Sequence, residues 1–535
     1  MSTRHRIDEA LYSEPMGDVE KYFHSLVTMI DSNSGVHDFK LITSDCYNVN
    51  APFKADRFAT FQLTDRAVDI VDISKGFINL KCEIDVQFLF KNLNSTADGQ
   101  VKDITAFFIG FKSASHIINN YNIISNGRLT ACKNTKSKAE QMITYSSKAK
   151  EERAGRPGMY SPHDRVRAMD ECVAGTYIIL PTYKDKNTTK TITIDLVIQI
   201  DDLLPLSAMS YFPRFIAKDL ELQISCNLLQ NMVFCQVPFK SVVDHMIEVA
   251  EQDLVLYKIL PQGHMDSRFH QCGDYARCLV GYKDSSTNTE FTNTDLTIVP
   301  SNLNILEAKS FIYGFNIKED CKNNLIKEFD TNNFIIPAQW IEHYTLSQLP
   351  TKNNIRSNIQ VPMFNCCQAI MTFPNSGNQL TVSRNPHLDA VQCHISDRII
   401  PDKFFKTTDK THCEMILANL NMDSLFTAPD EIIESLTRDR KGYDVWTLKK
   451  IDDSDYMLVF NLERFGNGCF CDGMSGNPVP INLTANLMYD TKNPHYYDSD
   501  GNFNAQNINL FIVQDAFWVF GPEGGEFIKD ASNVY

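Results

Sequence analysis

The residues of this chain that could do chemistry are scattered, and each cluster has a plainer structural reading. His264, His270, Cys272 and Cys278 fall within fifteen residues. Two imidazoles and two thiolates make a zinc-type donor set, but the spacing fits no finger or ribbon and no C-x-x-C occurs. In a chain with 13 His and 15 Cys, chance clustering accounts for them better. Cys469 and Cys471 flank Phe470, so an extended backbone puts both thiols on one face, as redox or metal use would need. Strand cysteines serve more often as small apolar core residues. Cys366 and Cys367 point to opposite faces of a strand and could not grip one ion together there. His163-Asp164 pairs a base with a carboxylate, yet no G-x-S-x-G elbow presents a nucleophile. The acid pairs Asp201-Asp202 and Asp452-Asp453 could meet a divalent ion. Hard-ion sites need oxygens converging from several positions, so solvated turn acids are the expected state. Gly466-Asn467-Gly468 runs on into Cys-Phe-Cys rather than a helix, and neither G-x-x-x-x-G-K-[ST] nor G-x-G-x-x-G is present. Sequons at Asn94 and Asn482 carry no weight without secretion. The expectation is a non-enzyme with no catalytic residue, no cofactor-binding residue, no cofactor and no metal.

Composition sets the frame around these residues. The 535 residues exceed one ordinary domain, and 43% hydrophobic with 22% charged residues describes a globular chain. No apolar run reaches the roughly eighteen residues of a bilayer-spanning helix. The polar opening MSTRHRIDEALYSEP argues against a secretory signal, so the odd number of cysteines, 15, reads as reduced thiols in a cytosolic or nuclear compartment. A net charge of −15, from 51 basic against 66 acidic residues, opposes broad or specific nucleic-acid binding, which needs Lys and Arg to displace counterions.

Helical spacing dominates only the start. Val19, Tyr22, Phe23, Leu26, Val27 and Ile30 form one apolar stripe. A helix on this stripe packs either on its own domain or on a neighbouring subunit or minor protein. A membrane-surface helix fits less well, because Asp18, Glu20 and Asp31 replace the basic residues it would carry.

Beyond it the period becomes two. Ile78, Leu80, Cys82, Ile84, Val86, Phe88 and Phe90 alternate with polar residues, as do Ile192 to Ile200, Leu220 to Cys226, and Val479 to Leu487. Each is a strand with one buried face, in strongly specified register. Asn126-Gly127 predicts a tight hairpin, and Pro374 to Asn378 a turn. Short helical insertions fit Ser113 to Asn120 and Asp430 to Arg438, and residues 131 to 175 and 261 to 295 read as long loops. A boundary near residues 240 to 260 gives an arm over 1–35 and two sandwiches over 36–245 and 246–535. Blocks of that size suit jelly rolls better than domains of about 100 residues. The fold class expected is all-β, two consecutive jelly-roll β-sandwiches with short helical insertions and an N-terminal helical arm.

Several stretches carry a resemblance. AFFIGFKSASHIINNYNIISNGRL (Ala106 to Leu129), ITIDLVIQIDDLLPL, FPRFIAKDLELQIS, QLTVSRNPHLDAVQCHISDRIIPDKFF, MLVFNLERF and NINLFIVQDAFWVF resemble the strand order and punctuation of one capsid-protein family. It is that of the double jelly-roll major capsid proteins of Polinton (Maverick) elements, adintoviruses, polinton-like viruses and virophages. The resemblance spans most of residues 55 to 530 and leaves the arm and the 131–175 loop without counterparts. It implies a homotrimer of six sandwiches, a pseudo-hexameric capsomer tiling an icosahedral shell around double-stranded DNA. It also implies residence in the virion after assembly in the host cytoplasm or nucleus, with neighbouring capsomers, penton and minor capsid proteins as partners through the arm or base. The competing function is a lectin-like jelly-roll attachment protein without a shell-building role.

Overall fold

The computed structural model describes residues 36–91, 99–101, 105–133, 174–180, 187–207, 209, 211–226, 229–236, 270–273, 276–278, 282–284, 290–291, 294–329, 334–347, 354–374, 383, 388–407, 456–463, 473–487, 507–521 and 524–528. The amphipathic stripe at 19–30, most of the 131–175 loop and the helix expected at 430–438 lie outside these residues.

Eight strands build a first sandwich: β1 (Val36–Asp45), β2 (Ala59–Gln62), β3 (Ile70–Lys91), β4 (Ile118–Ser125), β5 (Arg128–Lys133), β6 (Asn187–Gln199), β7 (Leu220–Cys226) and β8 (Thr294–Ile317). One sheet has the order β1-β8-β3-β6 and the other β2-β7-β4-β5, all neighbours antiparallel. Consecutive strands change sheets at nearly every step, and the last returns beside the first. That is the jelly-roll order. Alternation in the sequence explains the register. Ile78, Leu80, Cys82, Ile84, Val86 and Phe88 of β3 are buried, and so are Ile192, Ile194, Leu196 and Ile198 of β6 and Ile200 just after it. Leu196 lies opposite Leu80 and Ile194 opposite Cys82. A one-residue slip of β6 would turn this row to water at about 2 kcal/mol per side chain, which leaves one register.

The second sandwich repeats the plan with one fewer strand: β9 (Phe334–Ser347), β10 (Asn354–Thr372), β11 (Leu388–Ile395), β12 (Arg398–Phe405), β13 (Leu458–Asn461), β14 (Met474–Leu487) and β15 (Asn507–Gly521). The first half of β10 pairs with β14, which continues to β11 and β12. After irregularities between Val361 and Gln368, its second half pairs with β15 and β13, and β15 pairs with β9. Bulges bend strands, and here one strand fills two adjacent jelly-roll positions, one in each sheet. The fold is therefore two jelly rolls, with two separate cores.

Three expectations change. The first sandwich does not end near residue 245: β8 pairs with both β1 and β3, and Leu296, Ile298, Ile305 and Ile312 lie in the first core. A jelly roll needs its eighth strand between its first and third, so a polar stretch before that strand is an inserted connection and not a boundary. That stretch, expected to be irregular from 261 to 295, contains the short strands His270–Gln271, Ala276–Cys278, Tyr282–Asp284 and Glu290–Phe291, too brief to show a period. The helix expected over 113–120 is one 3₁₀ turn, Ala114–Ile117, before β4 begins. A helix of eleven residues, α1 (Glu319–Phe329), instead follows β8 and anchors through buried Leu325 and Phe329. The Asn126-Gly127 hairpin is present, Ser125 lying opposite Arg128, with φ of 48° and 74° at the two turn residues.

Candidate functional site

The sequence-level candidates do not converge. His270 sits in a two-residue strand, half-buried, its ring 5.5 Å from that of Phe234. Cys272 is buried, with its N–H donating to the Met232 carbonyl at 2.9 Å. Cys278 pairs opposite Thr294, and His264 lies outside the described residues. Among the described residues no three His, Cys, Asp or Glu side chains are grouped to hold a metal. Cys366 and Cys367 are both buried, Cys366 in the second apolar core and Cys367 donating to Asp515 Oδ1 at 3.1 Å. Asp202 is buried in the Ile200–Asp202 3₁₀ turn, so it is not the solvated turn acid expected; the turn folds under Leu203, Leu204 and Leu206, all buried. His163-Asp164, Asp452-Asp453, Gly466 to Gly468, Cys469, Cys471 and Asn94 lie outside the described residues, and Asn482 is within β14. Burial pushes the thiols of Cys82 and Cys393 up to about 12, and that of Cys226 well above its ordinary value. Such thiols are poor nucleophiles and poor metal ligands at neutral pH.

What the fold does assemble is a joint between its two sandwiches. On the second sandwich the joint uses the outward face of β9 and β15, where Ile336, Ala338, Trp340, Ala516, Trp518 and Phe520 belong to the first core. Side chains at alternate positions of a strand share a face; Ile341 and Val513, on the opposite face, belong to the second core, as do Leu510 and Ile512 earlier in β15. These two strands are thus apolar on both sides, as a strand between two packed layers must be. On the first sandwich the joint uses the connection from β6 to β7. The indole N–H of Trp518 donates to the Pro205 carbonyl, and the rings of Phe212 and Phe520 meet edge to face at 5.2 Å. A short strand after β15, β16 (Gly524–Ile528), reaches the β4–β5 hairpin, where the Gly525 N–H donates to Ser125 Oγ at 2.8 Å. Trp340 and Trp518 close over Phe527 at 5.2 and 4.9 Å between ring centroids. None of these residues belongs to the chemical candidates. Their signal in the sequence is the pair of apolar runs Leu510 to Val513 and Ala516 to Phe520, parted by Gln514 and Asp515 and each too continuous for a strand with one wet face.

The joint leaves apolar side chains uncovered elsewhere. Phe39 (73% exposed) and Leu41 (50%) on β1 lie beside Tyr313 (40%) on β8, with Leu41 directly opposite Tyr313. Ile399 (43%) and Phe404 (62%) stand on β12, the outermost strand of its sheet. An exposed outer strand carrying large apolar residues invites pairing or docking. No helix among the described residues is long and apolar enough to cross a membrane.

No protein-family model matches the chain, and no curated protein does. Several solved structures are similar to it over nearly their full lengths. A chain in the cryo-EM structure of the Sputnik virophage is 10% identical, with 93% of this chain and 89% of that one covered at a TM-score of 0.47. The mavirus major capsid protein is also 10% identical, with 93% and 91% covered at 0.46. The Faustovirus major capsid protein is 7% identical, with 97% of each covered at 0.36.

Proposed function

We propose that this chain is the major capsid protein of a double-stranded DNA virus or virus-like element, in the group formed by Polintons, adintoviruses, polinton-like viruses and virophages. One observation carries the reading: a single polypeptide holds two sandwiches of the same strand order, locked side by side by the Trp518–Pro205 bond and the aromatic cluster around it. An attachment module has no need of a second sandwich fixed rigidly to the first, whereas a building block that tiles a surface gains a wider, stiffer wall. The sequence resemblance points the same way.

The finer reading is a closed homotrimer, six sandwiches in a pseudo-hexameric ring, with identical contacts for every subunit. Joints of this permanence commonly bury more than roughly 2,000 Å². The division between the sandwiches then falls after Ile317, in the connection that contains α1. The chain acts as structure and not as an enzyme, resides in the virion shell, and meets neighbouring capsomers, with penton and minor proteins engaged through its arm or base. Its net charge of −15 leaves the neutralisation of packaged DNA to other proteins or small cations.

Sedimentation of the purified protein tests this. The expected species is a trimer of about 183 kDa from chains of 60.9 kDa. A monomer that binds glycans would replace the shell reading with the attachment reading.

A further inference from the structure

We draw no further inference here: the strongest candidate, the outward face of the β10-β14-β11-β12 sheet of the second sandwich, where Arg356 and Asn358 lie opposite Thr484 and Asn482 and His394 adjoins Asn482, carries nothing because nothing in the structure shows what covers it.

Discussion

The indole of Trp518 donates to the backbone carbonyl of Pro205, a residue 313 positions earlier in the chain, and both residues are buried. This bond spans the two jelly rolls, and its donor stacks on Phe520 at 5.5 Å while meeting Phe527 at 4.9 Å. A buried donor and acceptor satisfied by one another fix an orientation that apolar contact alone leaves loose.

Trp518→Phe should keep the aromatic packing but strand the Pro205 carbonyl, at a cost of about 1–2 kcal/mol. Trp518→Ala also opens a cavity and should cost about 3–5 kcal/mol. Chemical denaturation checks both, and the alanine variant should split one cooperative transition into two as the sandwiches uncouple.

Two glycines should respond differently to alanine. At Gly127 (φ 74°) an added Cβ meets nothing within 4 Å, so only the backbone penalty of about 1 kcal/mol applies. At Gly110 the Cβ would lie 2.4 Å from the Ala174 carbonyl oxygen and 2.5 Å from the Gly175 Cα, which no rotamer relieves. Gly110→Ala should cost about 3 kcal/mol, read as a fall in the denaturation midpoint.

Exposed Asp85 on β3 accepts from Thr191 Oγ1 of β6 at 2.7 Å and from Asn302 Nδ2 of β8 at 3.0 Å. These bonds, Thr191 first, hold its carboxyl below the ordinary carboxylate value. With a depressed folded value, its contribution to stability is present above the unfolded value and fades as pH falls through the folded one. In an NMR titration Thr191→Val should move the Asp85 midpoint upward, and Asn302→Ala should move it by less.

Cys82 and Cys393, raised to about 12, and Cys226, raised well above its ordinary value by burial, should not react with a thiolate-selective reagent in the native protein at pH 8. Burial keeps the Cys82 thiol protonated there and blocks access to it. Mass spectrometry after native and denaturing labelling separates these thiols from Cys46 and Cys321, which are partly exposed.

Much of the fold was legible in the sequence because a half-buried strand writes its two environments into alternate residues, as β3, β6, β7 and β14 do. Asn126-Gly127 was legible for a similarly local reason, a backbone conformation that few residues accept. What stayed hidden depends on contacts distant in sequence. β8 belongs with β1 and β3, and a polar insertion ahead of it imitates a domain boundary. Helix α1 holds on through little more than Leu325 and Phe329, too sparse a stripe to announce itself. Asp202 resembles a surface acid until the leucines after it fold over the turn. The joint is hidden in the sequence because it works by packing and not through His, Cys or Asp: the doubly apolar run through Phe517 and Trp518 is visible, but not what it packs against.

The most direct measurement is negative-stain imaging of the purified full-length protein. Twin sandwiches joined head to tail in a closed ring of three chains should appear as six-lobed particles with a common centre. Isolated two-lobed particles at every concentration would contradict the shell-building role.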